Sequence, residues 1–460
     1  MASTTERPTA TASAGPGPLD LRAITRFYLP LVLTSQMMTL AVPLINLALT
    51  RAADPQLHLA AYGVCFGLLV FLNAPMLISR DVGSGMATDR ARWRRMIAIT
   101  VAGGVAIGLL DVAIALTTLG DWFFGTLLEA TPRVVTEARA TALVMAPIPV
   151  MVGLRGLYSA LALRSHRTRL LTQATFLRIV ILAAVLAALG IWAEPTARNV
   201  AWALTLGILG ETIWIRAVTR SLRTDLETAR DGRAPAPGIV SFAIPLILSA
   251  LAWTALRPVV NGLLGRTVDS EAAQASFAVL HPLVLLTGSA LWALQATHQI
   301  LATDDDRARR TLRFGLAMTV ICCAMVFALG WIPIAREFLL TRVFTLPPRL
   351  LDYVEPTMRL LFVTPFMLGL RACFKGLILA SGRTGIISAS AVLDLSVVLA
   401  LGTAAISLDP SINGALLGIA LVTAAEVVET LLLGSMAFRR FDLRGLLRSP
   451  SATDTQKRAR

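Results

Sequence analysis

Several things are scarce in this 460-residue chain, and each scarcity removes a class of function. Charged residues make up only 15% of it, and no basic domain stands apart from the apolar segments, so the net charge of +14 does not point to nucleic acid. The four cysteines, Cys65, Cys322, Cys323 and Cys373, all fall inside apolar runs, which argues against a disulfide framework and against a cysteine metal site. No Gly-x-x-x-x-Gly-Lys-Ser/Thr motif is present, so this chain does not couple directly to ATP hydrolysis. Long hydrophilic loops and surface acidic metal motifs are also missing, and with them the usual marks of an enzyme acting on lipid-linked sugars. Asp304, Asp305 and Asp306 stand at a helix start, where acids act as caps. The repeated Asp-Arg-Ala-Arg at Asp89 and Asp306, opening the third span of each half, supports that reading. Lysine is almost absent, with only Lys375 and Lys457. Such arginine preference is expected of a GC-rich bacterial gene and places the product in the plasma membrane.

What the chain has in abundance is apolar sequence: 55% hydrophobic residues and a mean hydropathy of +0.69. Segments near 24–50, 58–79, 96–119, 138–163, 170–192, 199–219, 239–265, 272–301, 311–333, 356–380, 385–407 and 411–438 each meet the roughly 20 residues that cross a hydrocarbon core of about 30 Å. None alternates as a barrel strand does, and a bilayer leaves helices as the remaining solution. The expected fold is therefore all-α and integral to the membrane, with twelve spans.

The twelve spans are two copies of six. Ile24, Phe27, Pro30, Leu31, Leu33, Thr39, Pro43, Asn46, Leu49 and Arg51 recur 215 residues later as Ile239, Phe242, Pro245, Leu246, Leu248, Thr254, Pro258, Asn261, Leu264 and Arg266. Pro149, Met151, Gly153, Leu154 and Arg155 recur 216 residues later as Pro365, Met367, Gly369, Leu370 and Arg371. An even number of spans per copy makes the repeats parallel, related by an axis along the membrane normal. Two such lobes enclose a cavity between them, and rocking them exposes it to each side in turn. The arginines concentrate in alternate loops, near Arg90 to Arg95, Arg164 to Arg169, Arg307 to Arg310 and the tail, which places both termini in the cytoplasm. The expected division is a disordered lead over 1–20, which lacks a signal-peptide core, an N-lobe over 21–219, a charged linker over 220–238, a C-lobe over 239–438 and a basic tail over 439–460.

A charge at the bilayer centre costs at least about 2.5–3.5 kcal/mol, so charges inside spans are candidates for function. Arg155 lies nine residues from Arg164, about 14 Å along a helix, and Arg371 lies deeper still. Both could line the cavity, or pair with Glu211 and Glu426, which match each other at 215. Arg178 and Asp394 occupy matching positions with opposite charge, as two halves of an ion pair would. Glu429, Asp111, Lys375 and His281 complete the set, with His281 open to either a helix contact or a proton relay. Pro43 with Asn46, and Pro258 with Asn261, place an amide near a helix kink. Arg257 precedes the second proline where the first copy has Val42. Repeat symmetry therefore does not demand Arg257 for packing, which makes it the leading substrate contact.

Two parallel six-helix lobes with this architecture resemble the MOP superfamily, which includes MATE multidrug exporters, polysaccharide and lipid II flippases, and the progressive ankylosis (ANK) family. Arg26-Phe27 before Pro30-Leu31, Ala61-Tyr62-Gly63 with Phe71, Pro75 and Met76, and Arg257-Pro258-Val259-Val260-Asn261 resemble the ANK family in order and spacing. That resemblance implies a MATE-like fold and efflux of small anions such as citrate, pyrophosphate or nucleotides. Arg257, Asn261, Asn46, Arg155, Arg371 and Lys375 would bind substrate, because forked guanidinium and ammonium donors suit phosphate and carboxylate. Glu211, Glu426, Glu429, Arg178, Asp394 and Asp111 would serve coupling or gating. MATE exporters of organic cations commonly carry an acid in the first span, and none stands between Ile24 and Thr50. Multidrug-cation efflux and transport of a lipid-linked saccharide or phosphate are the alternatives. The expected protein is a non-enzymatic, monomeric secondary transporter without cofactor or metal, coupled to H+ or Na+, whose partners are its substrate and membrane lipids.

Overall fold

In the computed structural model, which describes residues 19–128, 130–228, 238–343 and 348–443, regular structure is entirely helical among the described residues. Eleven helices are long and apolar enough to cross a membrane, and Ser270–Leu301, bent by 43° between Ser270–Leu286 and Gly288–Leu301, makes twelve. The first to sixth spans are Leu21–Leu49, Pro55–Leu72 with its continuation, Arg90–Leu116, Pro132–Arg164, Arg169–Trp192 and Ala197–Val218. The seventh to twelfth are Ile239–Leu264, Ser270–Leu301, Asp305–Trp331, Tyr353–Ala380, Gly385–Leu408 and Gly414–Arg440.

Local chemistry sets several of the starts. The Asp89 and Asp304 carboxylates accept the amides of Arg92 at 2.8 Å and Arg307 at 2.9 Å, which satisfies donors that a helix start leaves orphaned. The two caps are 215 residues apart, as the repeat requires. Asp306 is not the cap; it pairs with Arg309 at 2.6 Å. The first and seventh spans run through Pro43 and Pro258 without interruption. The second span extends further than its polarity suggests. After Leu72 it continues as Ala74–Leu77 and Ser79–Met86, because Ser79, Val82, Gly83 and Met86 are buried against the fourth span, and that packing carries the helix past polar residues.

Small residues let helices approach, which is how membrane helices gain packing without a hydrophobic drive. A side chain at Gly104 would meet the Val150 backbone at 2.8 Å, and one at Gly153 would meet Thr100. Of the linker, Arg220–Thr228 is helical and Arg223 lies over the Tyr158 ring at 5.7 Å; residues 229–237, like the lead over 1–18 and the tail from 444, lie outside the described residues.

The apolar interior divides into three bodies. One core joins both lobes on the face that carries the termini, through Phe27, Leu31, Met86 and Leu157 of the first lobe and Phe242, Leu294, Phe314 and Leu377 of the second. Toward the other face there are two separate cores. One holds only first-lobe residues such as Ile45, Leu69, Met145 and Ile208; the other holds only second-lobe residues such as Val260, Phe277, Val354 and Leu421. The lobes therefore share one core on the termini side and keep separate cores on the opposite side. Hydrogen bonds bind the joined half: Tyr28 to the Ala290 carbonyl at 3.0 Å, Gln36 to Ser289 at 2.8 Å and Gln295 to Asp81 at 2.9 Å.

Candidate functional site

The intramembrane charges collect at one level, where the shared core gives way to the separate ones. In the sixth span Ile208 belongs to the first-lobe core and Ile215 to the shared core, and Glu211 lies between them. Arg155 lies likewise between Val152 and Leu157, and Arg178 between Ala174 and Leu182. In the second lobe Glu426 and Glu429 fall between Ala425 and Leu433, and Asp394 between Ile387 and Val398. The charges thus sit, within each lobe, at the level where the shared core ends.

In the first lobe, Glu211 is buried and receives Arg155 at 3.0 Å, Arg178 at 3.4 Å and the Thr175 hydroxyl at 2.8 Å. Two cations face one carboxylate. In the second lobe, Arg371 contacts Glu426, off the line of a hydrogen bond, and donates to Glu429 at 3.0 Å. Lys375 lies 3.7 Å from Glu429 and donates to the Ser249 hydroxyl at 3.2 Å, tying the tenth span to the seventh. Ser390 donates to Glu429 at 3.3 Å. Asp394 borders the same group, and one of its carboxylate oxygens has no hydrogen-bond partner among the described residues. Here two cations meet three carboxylates. A cavity of about 20 Å³ lies among Arg371, Asp394, Glu426, Glu429 and Trp253, room for a guest the size of a water molecule.

The pairing departs from one expectation. Arg178 and Asp394 do not form an ion pair: each is drawn to the carboxylates or cations of its own lobe, because the repeats place them in different lobes at the same depth. Arg155 with Glu211 and Arg371 with Glu426 do pair, as their structural reading requires. Asp111 stands apart from both clusters, buried in the outer half of the first lobe with one oxygen unpartnered. His281 is buried against Phe277, with ring centroids 5.0 Å apart.

The other substrate candidates stand higher. Arg257 and Asn46 are exposed and Asn261 is half-buried; their neighbours Val260 and Ile45 belong to the separate cores, so they lie on the side where the lobes have separate cores. Arg257 has no ion pair among the described residues and lies within electrostatic range of His281. Sequence reasoning missed Arg80 and Asp81, because ending the second span at 79 placed them in a loop. It also missed the hydroxyls of Thr175, Ser249 and Ser390. The one available signal was that Ser79 to Met86 stays free of Pro after the span's nominal end.

Two six-helix lobes, with charges buried at the level where their shared core ends, have the architecture of a multi-pass membrane transporter. The structure is similar to that of the eukaryotic MATE transporter AtDTX14, at a TM-score of 0.67 and 15% identity over 91% of this chain and 95% of that one. It is also similar to a MATE transporter in an outward-facing conformation (TM-score 0.64, 14% identity, 93% of this chain and 97% of that one), and to a MOP transporter of Pyrococcus furiosus (0.65, 15%, 93% and 97%). The family model of the progressive ankylosis protein (ANKH) matches residues 18–286, more than half of the chain. This chain belongs to that family.

Proposed function

We propose that this protein exports small anions bearing carboxylate or phosphate groups by alternating access, with both termini in the cytoplasm of a bacterial cell. The observation that carries this reading is Arg257, an exposed guanidinium beside the second-lobe core with no acidic partner among the described residues. A cation held at membrane depth without a counter-charge favours an anionic guest. Asn46 and Asn261 add amide donors at the same level, and the first-lobe cluster adds surplus positive charge below. Binding in the cleft, with release as the lobes rock, needs no chemistry from the chain. The surplus carboxylate of the second-lobe cluster supplies a place for a driving proton, since one proton among Asp394, Glu426 and Glu429 balances Arg371 and Lys375. The Pyrococcus furiosus transporter has a binding pocket of reverse polarity that suggests a different function for it within the superfamily, and an anion-selective cleft on a MATE-like frame is consistent with such variation.

The test is transport by purified protein in liposomes with labelled citrate, pyrophosphate and ATP beside an organic-cation dye, comparing wild type with Arg257→Ala. Anion flux that falls at least about tenfold in Arg257→Ala, the loss of one charge-assisted contact, supports the reading. Dye flux with no anion movement would overturn it and favour multidrug-cation efflux.

A further inference from the structure

Arg80 and Asp81 lie where the second span crosses from the first-lobe core, at Met76, into the shared core, at Val82. That crossing is the level at which the shared core ends. The short helix Ser79–Met86 is packed by the third and fourth spans of its own lobe and by the seventh, eighth and tenth of the other. Despite these neighbours the Arg80 side chain is 42% exposed, whereas that of Asp81 is 16% exposed.

The two residues serve different directions, since successive side chains on a helix point about 100° apart. Asp81 faces the seam. Its carboxylate accepts from Gln295 at 2.9 Å and its backbone carbonyl accepts from Gln299 at 3.2 Å, both on the eighth span. Four residues on, Gly85 brings the same helix against Phe242 of the seventh span, where an added side chain would meet the ring at 2.9 Å. Arg80 has no strong partner among the described residues. Its Nε lies 3.6 Å from the Asp81 carboxylate and is buried without a hydrogen bond among them. The repeat mates of the pair are Gln295 and Ala296, both uncharged, so packing symmetry demands neither charge.

We propose that a cleft between the lobes reaches the level where the shared core ends, that Arg80 contacts the transported anion there, and that Asp81 is the latch through which its binding acts on the seam. This rests on the anion reading above. An anion held by Arg80 draws the guanidinium from Asp81 and places a like charge beside that carboxylate. The Asp81–Gln295 bond across the lobes weakens, and the joined half is biased to open. With the cleft empty, Arg80 returns toward Asp81 and the seam holds. Arg80 is thus a substrate contact, and Asp81 a positioning residue that acts through Gln295.

Two readouts test this in full-length protein. The first is citrate and pyrophosphate uptake by wild type, Arg80→Gln and Arg80→Lys. The expected result is a KM raised about tenfold in Arg80→Gln, the loss of one charge-assisted contact, with partial recovery in Arg80→Lys. The second is the distance between spin labels at Ser165→Cys and Arg383→Cys, one on each lobe at the termini face. Citrate or pyrophosphate should widen it in the wild type and leave it unchanged in Arg80→Gln, whereas Asp81→Ala should widen it without any anion. Wild-type transport and widening that persist unaltered in Arg80→Gln would overturn this inference and leave the anion reading standing. Absence of anion transport in the wild type would overturn both, and a closed seam in Asp81→Ala would remove the latch.

Discussion

The first-lobe cluster gives an asymmetry that stability measurements can read. Glu211 is the one carboxylate between Arg155 and Arg178, whose side chains are 15% and 9% exposed. Glu211→Gln preserves volume and an acceptor for Thr175 but leaves two buried guanidinium groups without a counter-charge. Breaking a buried pair by removing one partner costs about 3–5 kcal/mol. Arg155→Gln, by contrast, leaves Glu211 with Arg178, a balanced pair, and should cost about 1–3 kcal/mol, the penalty for a buried group that loses its hydrogen bond. For a lobe of some 200 residues, each kcal/mol moves the melting midpoint by roughly 2–4 °C, so Glu211→Gln should melt about 6–20 °C below wild type and Arg155→Gln clearly less. Intrinsic tryptophan fluorescence during heating in detergent follows both variants. The second lobe should show the reverse order, because two cations there face three carboxylates: Glu426→Gln leaves equal numbers of each, and Arg371→Gln isolates three acids around Lys375. Equal melting of Glu211→Gln and Arg155→Gln, or the same order in both lobes, would refute the charge count.

Other consequences follow from packing and from the helix starts. Gly104→Val should destabilise the first lobe by at least about 1–3 kcal/mol, the usual cost of overpacking, because the added methyls meet the Val150 backbone at 2.8 Å and backbone cannot rotate away; a lowered melting midpoint with reduced monodisperse yield is the readout. At the start of the third span, the Arg92 amide holds the Asp89 carboxyl below its usual range, with help from Thr88 and against the cost of desolvation. A depressed carboxyl stabilises the fold fully above its unfolded pKa, and that gain is lost as pH falls through the folded value. Asp89→Ala should therefore cost about 0.5–2 kcal/mol at neutral pH, and the gap from wild type should shrink below about pH 4, where the free carboxyl also titrates. A gap that widens on acidification would contradict that assignment.

Twelve spans and the parallel repeat were legible in the sequence because they depend on composition and period, which a single chain displays directly, whereas the pairing of Arg155 with Glu211 was one of two readings the sequence left open. The end of the second span was not legible. Polarity at Ser79, Arg80 and Asp81 suggests an exit from the membrane, and only burial against the fourth span, a tertiary fact, carries the helix on to Met86. The partners of Arg178 and Asp394 were hidden for a related reason. A repeat offset states which positions are equivalent, and equivalent positions in two lobes lie across the pseudo-axis from each other, where neighbours within each lobe claim their charges first. Equivalence still separates two kinds of residue. Gly153 with Gly369, Arg155 with Arg371 and Glu211 with Glu426 are the same in both copies, and each lies against its own lobe, where one packing solution serves twice. Val42 with Arg257, Arg178 with Asp394 and Arg80 with Gln295 differ in charge, and a difference in charge at matched depth cannot arise from a packing need common to both lobes. A symmetric frame that holds a charged guest must bind it with unequal halves, since the guest itself lacks the symmetry of the frame. The positions where the copies disagree are therefore the ones where contact with the substrate, and the coupling of that contact to the seam, should be sought first.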